Sequence, residues 1–326
     1  MNMILRQLGR RHLRPFAPVG LLLVGTALSA LRCAAAVEPV FNVAFRPDTR
    51  EVDVEYKGRK LLNYVLRPSP FKPYVRELYS LSGINVLLDA PADHLHHHGL
   101  MFAITVNGTN FWEEIPKAGY QVAGPEVDRR VTKRPDGLTA AEFSQELRWV
   151  AAKDAPADAA VLLEHRTLTV TVDEPAGEVA VQWKSDFQVG PGTEKVTLTG
   201  AGYHGLGLRF PPPFDHTGRR ANSEGAAYTA EAQWDVTPAR WASMAQTING
   251  KDVTVTVFDD PANAAEPRFF SMLNHFAYIS ATQGLDEKPL VYARGDRFSL
   301  RYLVTVHAAN RTPAELNRRL ERWLKP

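Results

Sequence analysis

Val253-Thr254-Val255-Thr256-Val257 carries an apolar side chain at every second position, the period of a strand with one buried face and not that of a helix. The alternation returns in Val52-Asp53-Val54-Glu55-Tyr56. It returns again in the runs 138–150, 160–172, 179–189, 195–199 and 298–307, which Gly, Pro, Asn and Asp residues break apart. By this pattern the stretch 38–308 holds roughly fifteen to twenty strands. No long amphipathic helix alternates with them, which disfavours a doubly wound sheet or a (β/α)8 barrel. One helix is predicted, at the C-terminus. There Thr312-Pro313-Ala314-Glu315 reads as a capping box with proline at the first helical position, and Leu316, Leu320 and Trp323 form a packing stripe. The fold class is therefore all-β: a large antiparallel β-sandwich of the supersandwich kind, with one C-terminal helix over a sheet face or edge.

The chain has 326 residues, 44% of them hydrophobic and 23% charged, a balance that argues against disorder, collagen-like repeats and coiled coil. Residues 1–36 contain five arginines and no acid, so the remaining 33 basic and 36 acidic residues carry a net −3. A slightly acidic chain lacks the clustered cations that nucleic-acid binding requires. The N-terminus reads as an export signal: Arg10-Arg11, an apolar stretch from Val19 to Leu31, then Ala34-Ala35-Ala36. That apolar run is interrupted by Gly20, Gly25, Thr26 and Ser29 and falls short of the roughly 20 residues that span a bilayer. The expected organisation is a signal peptide over 1–36, by the Sec or the Tat route, and a single β-sandwich domain over 37–326. The mature chain would be periplasmic or secreted, with no transmembrane association after cleavage. Cys33, the one cysteine, lies in the leader, so disulfides, thiolate metal sites and a cysteine nucleophile are excluded from the mature chain.

Chemistry concentrates in Asp93-His94-Leu95-His96-His97-His98-Gly99, which is followed by an apolar run to Val106, Asn107-Gly108, and Thr109-Asn110-Phe111-Trp112-Glu113-Glu114. Asn-Gly between β-like runs signals a two-residue hairpin, because both turn residues tolerate positive φ. Continued along the strands, that register sets Phe102 opposite Glu113 and Met101 opposite Glu114, with Leu100, Phe102, Ile104 and Val106 on the core face. Extended backward it puts His94, His96 and His98 on the face of Glu113, unless Gly99 bends the chain. Imidazoles fill cores poorly because both nitrogens need partners, so four of them in five residues point to a functional pocket. His-x-His on a strand is also a metal-ligand spacing, which makes His94 and His96 candidates for a divalent metal ion held by His and carboxylate.

The segment from Asp93 to Ala103, with Val106-Asn107-Gly108-Thr109-Asn110-Phe111-Trp112, resembles the D-H-x-H-H-x-G-L-x-F-A … V-N-G-x-(D/N)-F-W signature of the bacterial PmoA-like family, labelled methane oxygenase PmoA. Gly205 to Phe210, Ala239-Arg240-Trp241, Phe258 to Asn263 and Phe298 to His307 agree with it, and the similarity covers most of residues 60–310. The chain departs over Met272 to Tyr278, where relatives carry an Arg-Tyr-Gly-like stretch. The resemblance implies an exported β-sandwich protein of polysaccharide-degrading bacteria, similar to mutarotase-like or lyase-like supersandwiches. The methane chemistry in the label is rejected, because a methane monooxygenase subunit crosses the membrane many times and this chain's one membrane-like stretch is its leader.

Further candidates surround the longest polar connection, residues 211–225, since long loops on a rigid β scaffold commonly carry binding residues. As acid, base or metal ligand we take His94, His96 and His97, with Glu113, His204 and Asp215 as further catalytic groups. For substrate binding we take Arg209 as a bidentate clamp on a sugar or uronate carboxylate, His216, the rings of Trp112 and Trp241 as stacking surfaces, and the pair His275 and Tyr278. Glycoside cleavage, β-elimination and epimerisation each need an acid and a base flanking a sugar carbon, so residue types alone do not choose among them. Two readings stay open: an exported enzyme acting on a saccharide, and a non-catalytic sugar-binding or structural β-sandwich.

Overall fold

The alternating runs become 22 strands among the described residues, and their pairings are antiparallel. The computed structural model describes residues 40–66, 71–225 and 234–325; the expected signal peptide lies outside them. One nine-stranded sheet runs, in spatial order, Phe41–Arg46, Glu51–Tyr56, Arg59–Val65, Tyr74–Leu78, Leu100–Ala103, Gly205–Arg209, Tyr278–Ala281, Arg268–Met272 and Trp234–Pro238. The second runs Arg219–Asn222, Trp241–Ile248, Lys251–Asp259, Arg297–His307, Glu178–Val189, Leu162–Asp173, Thr139–Val150 and Tyr120–Ala123, with Asp128–Lys133 also on Thr139–Val150. A small third sheet joins Leu290–Ala293, Lys195–Thr199, Thr105–Val106 and Thr109–Asn110. The connection 211–225, read from sequence as a loop, contains a 3₁₀ turn at Pro212–Phe214 and the edge strand Arg219–Asn222.

The two large sheets share one core. Tyr64 of the first meets Phe143 of the second at 5.2 Å between ring centroids, and Phe102 meets Trp149 and Phe187 at 6.0 and 6.1 Å. On the far side of the second sheet, Leu316 and Leu320 of the helix Pro313–Leu324 cover Ala180, Trp241, Phe258 and Leu303. With that face covered, Thr254 and Thr256 are as buried as Val253, Val255 and Val257, with which they alternate. The helix begins with the expected capping box, in which Thr312 and Glu315 satisfy each other's backbone N–H groups. Trp241 is fully buried beneath this helix and donates its indole N–H to Asn317 at 2.8 Å, so it packs the helix and is not a sugar platform.

Inside the sandwich lies an ion pair. Arg166 and Glu164, both fully buried, point inward from Leu162–Asp173 and join in two hydrogen bonds of 2.7 and 2.9 Å. The guanidinium also donates to the Tyr64 hydroxyl and the Pro73 carbonyl, each at 3.1 Å, and to Gln121 at 2.9 Å, and it lies 4.6 Å over the Trp183 ring. Glu164 accepts from the Trp149 indole at 2.8 Å and from Ser185 at 2.6 Å. Burial opposes the charge on Arg166, and the adjoining Glu164 more than offsets it, so the group stays firmly protonated. Removing one member of such a pair strands the other without compensation. Arg166→Met should therefore lower stability by about 3–5 kcal/mol, read from the urea midpoint of tryptophan fluorescence; a loss below about 1 kcal/mol would show that the pair does not hold the sheets.

Candidate functional site

Phe102 points into the sandwich, and its cross-strand partner Leu206 shares that face. Alternation therefore turns Gly207 and Arg209, their partners Ser280 and Tyr278, and Phe270 and Met272 beyond them toward the sheet's outer face. Gly207 is required there. A Cβ on it would lie 1.8 Å from the Tyr278 hydroxyl oxygen and 3.1 Å from the Trp112 ring, so only glycine leaves room for both rings over this strand. Gly99 has a similar constraint, since a Cβ would stand 2.2 Å from the Val75 carbonyl oxygen.

The Asn107-Gly108 turn forms as expected, with Val106 opposite Thr109 and Thr105 opposite Asn110, and both turn residues have positive φ. The ladder then stops. Asn110 turns its side chain onto the N–H groups of Trp112 and Glu113, at 2.7 and 3.1 Å, while Leu100–Ala103 pairs instead with Gly205–Arg209. Hence Glu113 does not face Phe102, nor Glu114 Met101. The backward extension also fails. Residues 90–97 fold on themselves through Ala90 N–H to His97 O, His94 N–H to Pro91 O and His97 N–H to His94 O, each 2.9 Å. In such turns the histidines lose strand parity: His94, His96 and His97 gather on one side, and His98 turns inward.

His98 is the anchor of this loop. Its Nδ1 lies 2.7 Å from Asp89 and its Nε2 3.0 Å from Glu114, and it stacks on Tyr74 at 4.1 Å. Tyr74 donates to Asp89 at 3.0 Å, and the buried Lys72 donates to Glu114 and to the Trp112 carbonyl, both at 2.9 Å. Burial disfavours the His98 cation, but its two carboxylates prevail and raise its pKa. Burial lowers that of Lys72.

The gathered residues bound a cavity of about 260 Å³. Its polar lining is His94, His96, His97, Glu113 and Tyr203; Phe270, Met272, Phe276 and Tyr278 complete the wall. His96 Nδ1 lies 3.4 Å from Glu113, and His94 Nδ1 lies 3.0 Å from Asp93. The His94 ring stacks on His97 at 4.6 Å and stands edge-on to His96 at 5.8 Å. Burial lowers the pKa of His96 against the attraction of Glu113, and burial together with the neighbouring His96, His94 and Arg209 lowers that of His97 to about 2. Burial thus holds His96 and His97 toward the neutral form.

Of the residues singled out from sequence, His94, His96, His97, Glu113 and Tyr278 come together here. The others are placed elsewhere. Trp112 is fully buried behind the cavity, with His204 stacked on it at 5.0 Å, so neither ring meets a ligand in the cavity; burial lowers the His204 pKa to about 4. Arg209 lies beneath Phe276, 3.7 Å from the ring centroid, with Asp93 at 3.4 Å; the Phe276 ring separates it from a ligand in the cavity. Asp215 accepts the Ala277 N–H at 2.6 Å and so pins the chain entering Tyr278–Ala281. His216 and His275 are exposed and outside the cavity lining. Sequence reading passed over Phe270, Met272 and Phe276 as walls, and Lys72 and Asp89 as supports. Phe270 and Met272 alternate on one strand, but only the pairing of Met272 with Tyr278 puts them on one face with that ring. Among the described residues no group of three His, Cys, Asp or Glu side chains is arranged to hold a metal ion.

The fold and the cavity define an antiparallel two-sheet protein with a histidine-lined site on the outer face of one sheet. The chain belongs to the family described as "Family of unknown function (DUF6807)", matched over residues 51–321. No curated protein matches it by sequence. Among solved structures it is similar to a GH36 α-galactosidase, AgaB, from Geobacillus stearothermophilus, at 11% identity and a TM-score of 0.48, covering 82% of this chain and 41% of that one. It is similar to an α-galactosidase from Lactobacillus brevis at 8% identity and TM-score 0.47, covering 83% and 40%. A galactose mutarotase related enzyme from Lactobacillus acidophilus matches at 9% identity and TM-score 0.40, covering 83% and 99%. The chain spans about two fifths of the length of the two α-galactosidases.

The two buried histidines of the loop, His97 and His98, give stability opposite pH dependences. The folded pKa of His98 is raised, so its contribution is complete below about pH 6.5, the free-histidine value, and is lost as pH rises through the folded value. For His97 the folded pKa is lowered to about 2, so the unfolded chain binds the extra proton and stability falls as pH drops below about 6.5. Thermal midpoints recorded from pH 4 to 9 should fall off less steeply on the acid side in His97→Phe and less steeply on the alkaline side in His98→Gln. Curves parallel to wild type would contradict this assignment.

Proposed function

We propose that the cavity binds one sugar ring and that His96, backed by Glu113, transfers a proton to or from it, with His94, backed by Asp93, as the complementary group. Both imidazoles meet their carboxylate through Nδ1, which leaves Nε2 to act on a ligand. The observation that carries the reading is the His96–Glu113 contact of 3.4 Å in the wall of a cavity that is polar on one side and aromatic on the other. At about 260 Å³ the cavity falls just under the roughly 300–1,000 Å³ of drug-sized pockets, so it suits one small polar ring. Aromatic walls beside hydrogen-bonding groups match the apolar and hydroxylated faces of a pyranose. Glycoside hydrolases commonly use two carboxylates, whereas Glu113 is the one carboxylate among the described lining residues. Two carboxylate-backed histidines favour proton transfer at a sugar carbon, as in epimerisation or β-elimination. The reading includes export, on the strength of the leader, and kinship with the PmoA-like group, on the histidine signature.

The test is proton NMR in D₂O of the mature chain with monosaccharides and short oligosaccharides, neutral and uronate. The expected result is loss of one C–H signal or growth of a new anomeric or vinyl signal. Glu113→Gln and His96→Asn should each slow that change by about 10²–10⁴-fold while circular dichroism stays unchanged. With neutral His96 as the base, the rate rises with pH through a pKa below 6.5 and levels off across the neutral range. Wild-type protein that leaves every sugar unaltered would exclude proton-transfer catalysis. Elemental analysis of untagged protein and of His94→Ala/His96→Ala tests the divalent-metal alternative. Stoichiometric metal present in the first and lost in the second would replace acid–base chemistry by a metal-assisted reaction.

A further inference from the structure

The aromatic wall of the cavity does not end at the cavity. Phe270 and Met272 line it from Arg268–Met272, and the neighbouring strand, Trp234–Pro238, is the last of its sheet. Trp234 stands opposite Met272 in that pairing, so the two side chains share the sheet face that carries the cavity. The Trp234 ring stacks on Phe270 with centroids 5.8 Å apart and planes within 24°. It is nevertheless 54% exposed. The Trp112, Trp149, Trp183 and Trp241 side chains, by contrast, are fully buried. A large indole left with one face toward solvent, in line with a pocket wall, forgoes burial that a purely structural tryptophan would gain.

We propose that Trp234 stacks on the second ring of a saccharide whose first ring fills the cavity, so that the ligand is an oligosaccharide or a chain end and not a free monosaccharide. This rests on the sugar reading of the cavity. The cavity volume admits one ring, the Phe270 wall continues directly to the indole, and the exposed indole face offers the flat apolar surface that the C–H face of a pyranose covers. Trp234 acts in binding alone and takes no part in proton transfer.

The experiment is calorimetric titration of the full mature chain with glucose, galactose, mannose, glucuronate and galacturonate, and a β-1,4- and an α-linked disaccharide and trisaccharide of each, repeated on Trp234→Ala and Trp234→Phe. Wild type should bind at least one oligosaccharide more tightly than its monosaccharide. Trp234→Ala should weaken that oligosaccharide about 10-fold, the equivalent of roughly 1.4 kcal/mol of stacking, and leave the monosaccharide within about 2-fold. Trp234→Phe should recover most of the loss while abolishing the ligand-induced change in tryptophan fluorescence. If wild type binds the monosaccharide as tightly as every oligomer, or if Trp234→Ala weakens both alike, the subsite is refuted and the sugar reading of the cavity stands. If wild type binds no saccharide of the panel, both fall.

Discussion

A guanidinium and a carboxylate in the middle of an apolar sandwich set the terms for everything around them. Removed from water, Arg166 and Glu164 are tolerable only when their hydrogen-bonding capacity is used, and the partners that use it come from both sheets: Tyr64 and the Pro73 carbonyl from one side, Trp149, Ser185 and Gln121 from the other. Apolar contacts alone would let two large sheets slide over one another with small changes in buried area. A directional network of this kind has one satisfied arrangement, so it fixes the position of Arg59–Val65 and of the segment entering Tyr74–Leu78 against the second sheet. Tyr74 lies one residue beyond Pro73, and it is Tyr74 on which His98 stacks. The constraint at the centre thus reaches the histidine loop within a few residues.

The site itself depends on a division of labour among four consecutive-looking histidines. His98 is spent on architecture, held between two carboxylates that favour its cation. His96 and His97 are pushed toward the neutral form by burial, and His97 by its cationic and imidazole neighbours as well. The histidine whose cation is favoured supports the loop, and the two whose cations are disfavoured, His96 and His97, face the cavity. Glu113 and Glu114 divide in the same way. The first stands at the cavity beside His96, and the second is turned inward to Lys72 and His98.

Much of the fold could be read from residue periodicity. The runs 138–150, 179–189 and 298–307 are strands with ends shifted by a residue or so, and the Asn107-Gly108 hairpin and the Thr312 capping box form as read. Periodicity stopped being informative where the chain stopped being regular. Strand parity through Gly99 presumed an extended backbone, whereas hydrogen bonds within residues 90–97 close that stretch into turns, and no residue-type rule distinguishes the two. Trp112 and Trp241 look alike as aromatic residues near polar segments, and what decides them is which remote element covers each. Lys72 was invisible for the opposite reason: a lysine is ordinarily read as solvated, and its partners Trp112 and Glu114 are some forty residues away. The adjacent pair Phe269-Phe270 also masks which of the two faces the core, so the cavity wall emerges only once register is known.

The last strand of the chain, Arg297–His307, is not at the edge of its sheet but in the middle, between Lys251–Asp259 and Glu178–Val189. Nearly three hundred residues must therefore be present before the second sheet can close, and until then two long strands keep open hydrogen-bonding edges. The first sheet has a comparable delay, since Leu100–Ala103 waits for Gly205–Arg209. Hairpins of neighbouring strands, such as Leu162–Asp173 with Glu178–Val189 and Trp241–Ile248 with Lys251–Asp259, can pair early, but the sheet that joins them closes late and non-locally. Protection of those waiting edges, by chaperones or by rapid release of the complete chain, is then as much a requirement of this architecture as its finished core.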